Sequence, residues 1–288
     1  MERANPFRKG GRDSSDEPQV HMAHVLAAVD DSAATAPVLA VAQWFGGLLD
    51  LDVVAMHVSE DGSGATARAT ADAAGVKFEI REGDPSRTIR HAANDDDDVV
   101  AIAIGARALP GDRVPAGHVA LDVIRRIAKP VIVVPPDVRV PAGSRPLRLL
   151  APVDDRRPST DALRRLLDEM PASELDLVLL HVFDAQHMPK YANHGSYDIE
   201  EWCRELVRRT TPSHEAHARV EWRSGHPAHT ILSVERELDP DLLVLAWAGD
   251  LSHGRAAVVK RLLAHATTPI VLLPIVGAAT PDPGHVSG

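Results

Sequence analysis

Aromatic residues are nearly missing from this chain. Phe, Trp and Tyr together make up 3% of its 288 residues, so any core must be filled by small and branched aliphatic side chains, as suits helices laid over parallel strands. Cysteine is scarcer still. Cys203 is the only one, which excludes an intramolecular disulfide and a cysteine-based zinc site. It lies in Ile199-Glu200-Glu201-Trp202-Cys203-Arg204-Glu205-Leu206-Val207, where the apolar residues fall at helical spacing, and a structural thiol is expected. An excess of basic charge is also lacking. Lys and Arg number 31 against 41 Asp and Glu, for a net charge of −10, the wrong sign for neutralising a phosphate backbone, so nucleic acid is not expected as a partner. Long hydrophobic runs are absent too: Val99 to Ala106 and Ile270 to Val276 fall far short of the roughly 18–20 residues that cross a bilayer. No apolar stretch of signal-peptide length follows Arg3, Arg8, Lys9 and Arg12. A cytoplasmic location without membrane attachment is expected.

What the chain does contain is a repeat. Val29-Asp30-Asp31 recurs as Val153-Asp154-Asp155, and at the same interval His57-Val58 recurs as His181-Val182. Gly83-Asp84-Pro85 has a counterpart in Gly225-His226-Pro227, and Pro130-Val131-Ile132 in Pro269-Ile270-Val271. The interval lengthens between the first marks and the later ones, which places an insertion within 184–205. A chain of this length is expected to form two domains of roughly 100–200 residues each. The reading is a disordered leader at 1–21, a first domain at 22–136, a Pro-rich linker at 137–146, a second domain at 147–275 and a disordered tail at 276–288.

Within each half, strands and helices alternate. The first half reads as strands at 25–29, 53–58, 76–81, 99–104 and 130–134, with helices at 35–48, 64–73, 86–94 and 117–128. The second reads as strands at 147–153, 175–182, 218–223, 241–246 and 269–273, with helices at 159–169, 199–209, 227–237 and 256–266. The run Val99 to Ile104 is continuously apolar, as in a strand covered on both faces, and Ser86 is the expected cap of the helix at 86–94 that precedes it. Such alternation implies a parallel sheet with right-handed crossovers and helices on both sides.

In open parallel sheets, ligands bind beyond the carboxyl ends of the strands where strand order reverses. That directs attention to Asp30-Asp31-Ser32 after the first strand and to the loop 105–118 after the fourth. A carboxylate facing a glycine-bearing loop at a helix start suits a ribose hydroxyl on one side and phosphates on the other.

On these marks both halves resemble the universal stress protein family, and over roughly 22–275 the chain is similar to its tandem two-domain members. The resemblance implies an α/β fold, flavodoxin-like or adenine nucleotide hydrolase-like, in which each half has a five-stranded parallel sheet of order 3-2-1-4-5. It also implies ATP binding between the first and fourth strands in many members. There the Asp after the first strand contacts the nucleoside, the Val after the second-strand His meets adenine through its backbone, and a Gly-x2-Gly-x9-Gly-Ser/Thr loop holds the phosphates. Carried over by position, these roles fall on Asp30, Val58, Gly105 and Gly117, with His118 in the Ser/Thr place. In the second half they fall on Asp154, Val182 and, for the second loop glycine, Gly249.

The chain departs from that pattern. In the first half Ala108 replaces the second glycine and eight residues separate it from Gly117. In the second half the segment runs Ala246-Trp247-Ala248-Gly249-Asp250, and Ala256-Ala257 replaces Gly-Ser/Thr, so Trp247 is expected to fill space a ligand would need. ATP is therefore expected in the first half if anywhere, with Mg²⁺ only in its company. The family pattern also implies that the last strands of the two halves pair; association of two chains is left open. A stress-response binding and regulatory protein is the leading expectation. A protein-interaction module of the same fold without nucleotide is the alternative, and a slow ATP hydrolase a third reading.

Catalysis finds little support in the residues. No Gly-x-Ser-x-Gly turn accompanies Asp30, Asp31 and Ser32, and Ser32 reads as a helix-starting residue. The 15 histidines, including His214, His217, His226, His229, His181, His187 and His194, show no spacing that gathers three or four metal ligands. Asp95 to Asp98 read as a solvated turn. The insertion 184–205 would form a lid, a partner surface or a plain excursion.

Overall fold

Ten strands form one sheet. The structure, a computed structural model, describes residues 22–59, 62–106, 118–140, 146–154, 156–171, 175–183, 196–249 and 255–275. The first half runs β1 (His24–Val29), α1 (Thr35–Leu48), β2 (Asp52–Ser59), α2 (Ala65–Ala73), β3 (Lys77–Glu82), α3 (Pro85–Asp95), β4 (Val99–Gly105), α4 (His118–Arg126) and β5 (Val131–Val134). The second runs β6 (Leu147–Pro152), α5 (Arg157–Leu167), β7 (Leu175–Phe183), α6 (Ser196–Thr210), β8 (Ala218–Ser224), α7 (Pro227–Leu238), β9 (Leu242–Trp247), α8 (Arg255–His265) and β10 (Ile270–Pro274). Strand order across the sheet is β3-β2-β1-β4-β5-β10-β9-β6-β7-β8. Each half thus has the expected 3-2-1-4-5 order with every internal pair parallel. The two sheets meet at a single antiparallel seam, Ile270 opposite Val133 and Leu272 opposite Val131.

The period of two along each strand sorts its side chains into two layers. Val25, Ala27 and Val29 join α1, α2, α5 and α6 on one face, while Leu26 and Ala28 join α3, α4, α7 and α8 on the other. Both layers run unbroken from one half into the other. At the seam all of β5 and the first four residues of β10 are buried, each worth about 1.5–3 kcal/mol relative to exposure. The outer edges, β3 and β8, instead carry Lys77, Glu79, Arg81 and Arg219, Glu221, Arg223, charges that discourage further strand addition.

Several element ends differ from the sequence expectation, each for a local reason. Asp84, not Ser86, caps α3: its carboxylate accepts from the Arg87 N–H at 2.8 Å, and Pro85 follows in the first turn, where a missing N–H costs nothing. By the same tolerance α5 begins at Arg157 with Pro158 in its first turn. At its other end, α4 stops at Arg126, ahead of Pro130, which disfavours helical backbone before it. Part of the insertion is helical, since α6 begins at Ser196. The leader 1–21, the tail 276–288 and residues 141–145 of the linker lie outside the described residues.

Candidate functional site

The topology brings three of the expected site residues together. Val29 is level with His57, and Ala28 with Ile104, so Asp30, Val58 and Gly105 stand at the carboxyl ends of the adjacent strands β1, β2 and β4. Asp30 is exposed, and Val58 and Gly105 are half-buried. The Asp30 carboxylate is oriented by its own turn: Oδ1 accepts from the Ser32 N–H at 3.0 Å and from the Ser32 hydroxyl at 2.5 Å. Thr35 locks the same turn from α1, its hydroxyl donating to the Asp30 carbonyl and accepting from the Asp30 N–H at 3.2 Å. His118, exposed, opens α4 after β4. Gly117, with the rest of 107–117, lies outside the described residues.

Behind these strand ends, the repeated histidine is structural. The buried His57 ring has Nδ1 3.0 Å from the Val29 carbonyl, tying β2 to the end of β1 beside Asp30. Gly64 covers that ring so closely that a Cβ there would stand 2.6 Å from His57 Cδ2, and its φ of +156° lies in the glycine-favoured range. A glycine at the N-cap of α2 has no side chain to satisfy the first-turn amides. Asp31 supplies what is missing, its Oδ1 accepting from the Ala67 N–H at 2.8 Å. The two aspartates of the repeat therefore have different tasks: Asp31 caps a helix, and Asp30 remains at the strand ends.

The second half keeps the histidine device and alters the site. His181 Nδ1 is 3.1 Å from the Val153 carbonyl. Its ring is covered by aromatic side chains, with centroids of Phe183 and Trp202 at 4.5 and 4.9 Å. Asp154 accepts from the Arg156 N–H at 3.3 Å, and Arg156 Nε lies 3.9 Å from its other oxygen. Val182 is half-buried beside it on β7. The ladder between β6 and β9 holds only Leu149 with Leu242 and Leu150 with Leu243, whereas β1 and β4 stay paired as far as Ala28 with Ile104. Pro152 accounts for this. Successive N–H groups point to opposite neighbours, and the Val153 N–H goes to Leu180 of β7, so position 152 faces β9 and proline has nothing to donate.

Trp247, at the end of β9, is 5% exposed, and its indole N–H donates to the Ile124 carbonyl of α4 at 3.2 Å. Gly249 follows with φ +79°, and a Cβ on it would stand 3.6 Å from the Arg125 carbonyl. The end of β9 thus bonds to the first half. Asp155 and 250–254 lie outside the described residues.

Residues 147–274 match the family model described as the universal stress protein family. The second half of the chain carries a universal stress protein domain. By sequence the match lies in the second half, and the first half repeats its strand order. Among solved structures, a universal stress protein from Archaeoglobus fulgidus is similar with a TM-score of 0.62 and 16% identity, covering 88% of this chain and 97% of that one. A protein of unknown function from Pseudomonas aeruginosa is similar with a TM-score of 0.61 and 12% identity, covering 88% and 93%. At these identities the likeness concerns the fold. No curated protein matches the chain.

The other polar clusters singled out in the sequence make local contacts where they are described. Among the described residues no group of three or more His, Cys, Asp or Glu is placed to hold a metal ion, and no helix is long and apolar enough to cross a membrane. His214 is buried and uses Nε2 toward the Met170 carbonyl at 3.1 Å. His226 and His229 meet edge to face with centroids 5.3 Å apart, and Arg261 first, then desolvation, His226 and His265, lower the His229 pKa. Asp96 braces its turn through Oδ1 to the Asp98 N–H, and Lys129 donates to the Asp96 carbonyl. Burial pulls the Lys129 pKa below its usual value against the attraction of Asp96 and its neighbours. His187 and His194 lie outside the described residues. Sequence reasoning missed the roles of Asp31, Gly64 and Pro152, although a proline inside an apolar strand was a readable signal.

Proposed function

We propose that this chain is a cytoplasmic regulatory protein that senses ATP through its first half. The observation that supports this reading is the placement of Asp30, Val58 and Gly105 on three neighbouring strand ends, with the Asp30 carboxylate already oriented by Ser32. Asp30 Oδ2 has no partner among the described residues and would accept the ribose hydroxyls. The Val58 backbone would meet the base, Gly105 would let the phosphates approach, and Gly117 and His118 would meet them at the start of α4. Mg²⁺ would enter only with the triphosphate. The second half, with Asp154 beside Arg156 and Trp247 bonded to α4, serves as the structural partner.

Calorimetric titration with ATP tests the reading. Saturable binding to the full chain that Asp30→Ala abolishes supports it, while no heat and no co-purifying adenine nucleotide removes it. In the second case the protein is an interaction module of the same fold. That alternative draws on Trp222, 49% exposed on the edge strand β8 with its ring 6.4 Å from Phe183.

A further inference from the structure

We propose that Trp247 is a positioning residue for the nucleotide site of the first half, so that the end of β9 acts as a clamp from one half onto the other. The inference rests on the reading that ATP binds at Asp30, Val58 and Gly105. Helix α4 is the element that connects the two places. It opens at His118; on that reading its first-turn amides, which have no partner within the helix, meet the phosphates, and its last four carbonyls likewise have no partner within it. It has nine residues and so spans only about 13 Å. A shift at one end is therefore carried to the other with little room for bending.

Two hydrogen bonds hold the C-terminal end of α4. The Trp247 indole N–H donates to the Ile124 carbonyl at 3.2 Å, and Asn94 Nδ2 donates to the Arg126 carbonyl at 3.3 Å. Gly249 lies near by with φ +79°, a Cβ built on it standing 3.6 Å from the Arg125 carbonyl. Asn94 lies on α3 of the same half, but Trp247 and Gly249 belong to the other half. Trp247 is buried in the continuous core layer that also holds Val123, Ile124 and Ile127 of the first half and Val259 and Leu263 of the second.

The contact runs one way. Along β4 the residue matching Trp247 is Ala106, since Gly105 pairs with Val134 as Ala246 pairs with Leu273. A methyl group has no donor and cannot reach the last turn of α8. Duplication has therefore left one half with a glycine-bearing strand end and the other with an indole that caps the first half's phosphate-side helix. The two halves are therefore not interchangeable.

The test uses the full chain with ATP. Trp247→Phe keeps the aromatic bulk and removes the N–H; it is expected to weaken ATP binding about threefold to tenfold, the range one neutral hydrogen bond supplies. Trp202→Phe, which sits over His181 and away from α4, is expected to leave affinity unchanged, so a general loss of second-half packing is distinguished from loss of the clamp. A second readout is spectroscopic: ATP is expected to change tryptophan emission in the parent and in Trp202→Phe but not in Trp247→Phe. Binding of ATP with the same affinity in Trp247→Phe as in the parent overturns the clamp alone. Absence of ATP binding to the parent overturns the nucleotide reading and the clamp with it.

Discussion

His57 Nδ1 lies 3.0 Å from the main-chain oxygen of Val29. With the N–H on that nitrogen, the ring donates to the last carbonyl of β1 and fixes the strand end from which Asp30 projects. His57→Ala would leave that carbonyl without its partner and a gap under Gly64, at a cost of about 2–3 kcal/mol. The matching change at His181, which is only half-buried, should cost less. Urea unfolding of both variants checks the order; equal losses would contradict a tighter requirement in the first half.

The close approach of Gly64 to the same ring predicts a coupling. Gly64→Ala would place a methyl group against Cδ2 and force an alanine into φ +156°, costing roughly 1–3 kcal/mol. The steric share needs the imidazole and the backbone share does not. In a double-mutant cycle, His57→Ala should therefore relieve part of the Gly64→Ala loss. Strict additivity would mean that the ring is not what crowds this position.

Asp30 and Asp31 are neighbours in sequence and separable in effect. Asp31→Ala removes the oxygen that accepts from the Ala67 N–H and should lower stability by about 1 kcal/mol, as the loss of a cap does, while ATP affinity stays near that of the parent. Asp30→Ala should do the reverse. Thermal unfolding alongside calorimetry resolves the pair, and loss of ATP binding in Asp31→Ala alone would move the ligand-contacting role to the second aspartate.

The alternation of elements and the continuous apolar strands made the parallel sheet of each half legible, because such strands carry a local signature, while the strand order came from the family resemblance that the doubled marks carry. The carboxyl-end position of Asp30, Val58 and Gly105 follows from that order. What stayed hidden depends on contacts between distant segments. Asp31 reaches an amide 36 residues away, and Trp247 a carbonyl 123 residues away; nothing in the spacing of Val-Asp-Asp or Ala-Trp-Ala encodes either partner. Pro152 was visible in the chain, but its consequence for β9 needs the direction of one N–H, which only the register between strands supplies.

Arg148 and Arg219 flank Asp176 on the outer part of the second half, with Arg148 Nε 2.7 Å from Oδ2 and Arg219 donating to Oδ1. Burial pushes the Asp176 carboxyl upward, but the hydrogen bonds and charges of the two arginines together outweigh it and leave the pKa below the ordinary 3.8. A carboxyl depressed in the folded state favours folding at every pH above its unfolded value, and that contribution is lost as pH falls through the folded value. Stability should therefore decline as the solution is acidified from 3.8 downward. Asp176→Asn should be less stable at neutral pH by about 1–2 kcal/mol and should show a shallower decline in the same acid range. Urea midpoints measured from pH 6 to below 3 for the two proteins, at low and high salt, decide the matter: parallel curves would show that the two arginines do not hold this carboxylate, and added salt should narrow the gap between them because Arg219 is half exposed.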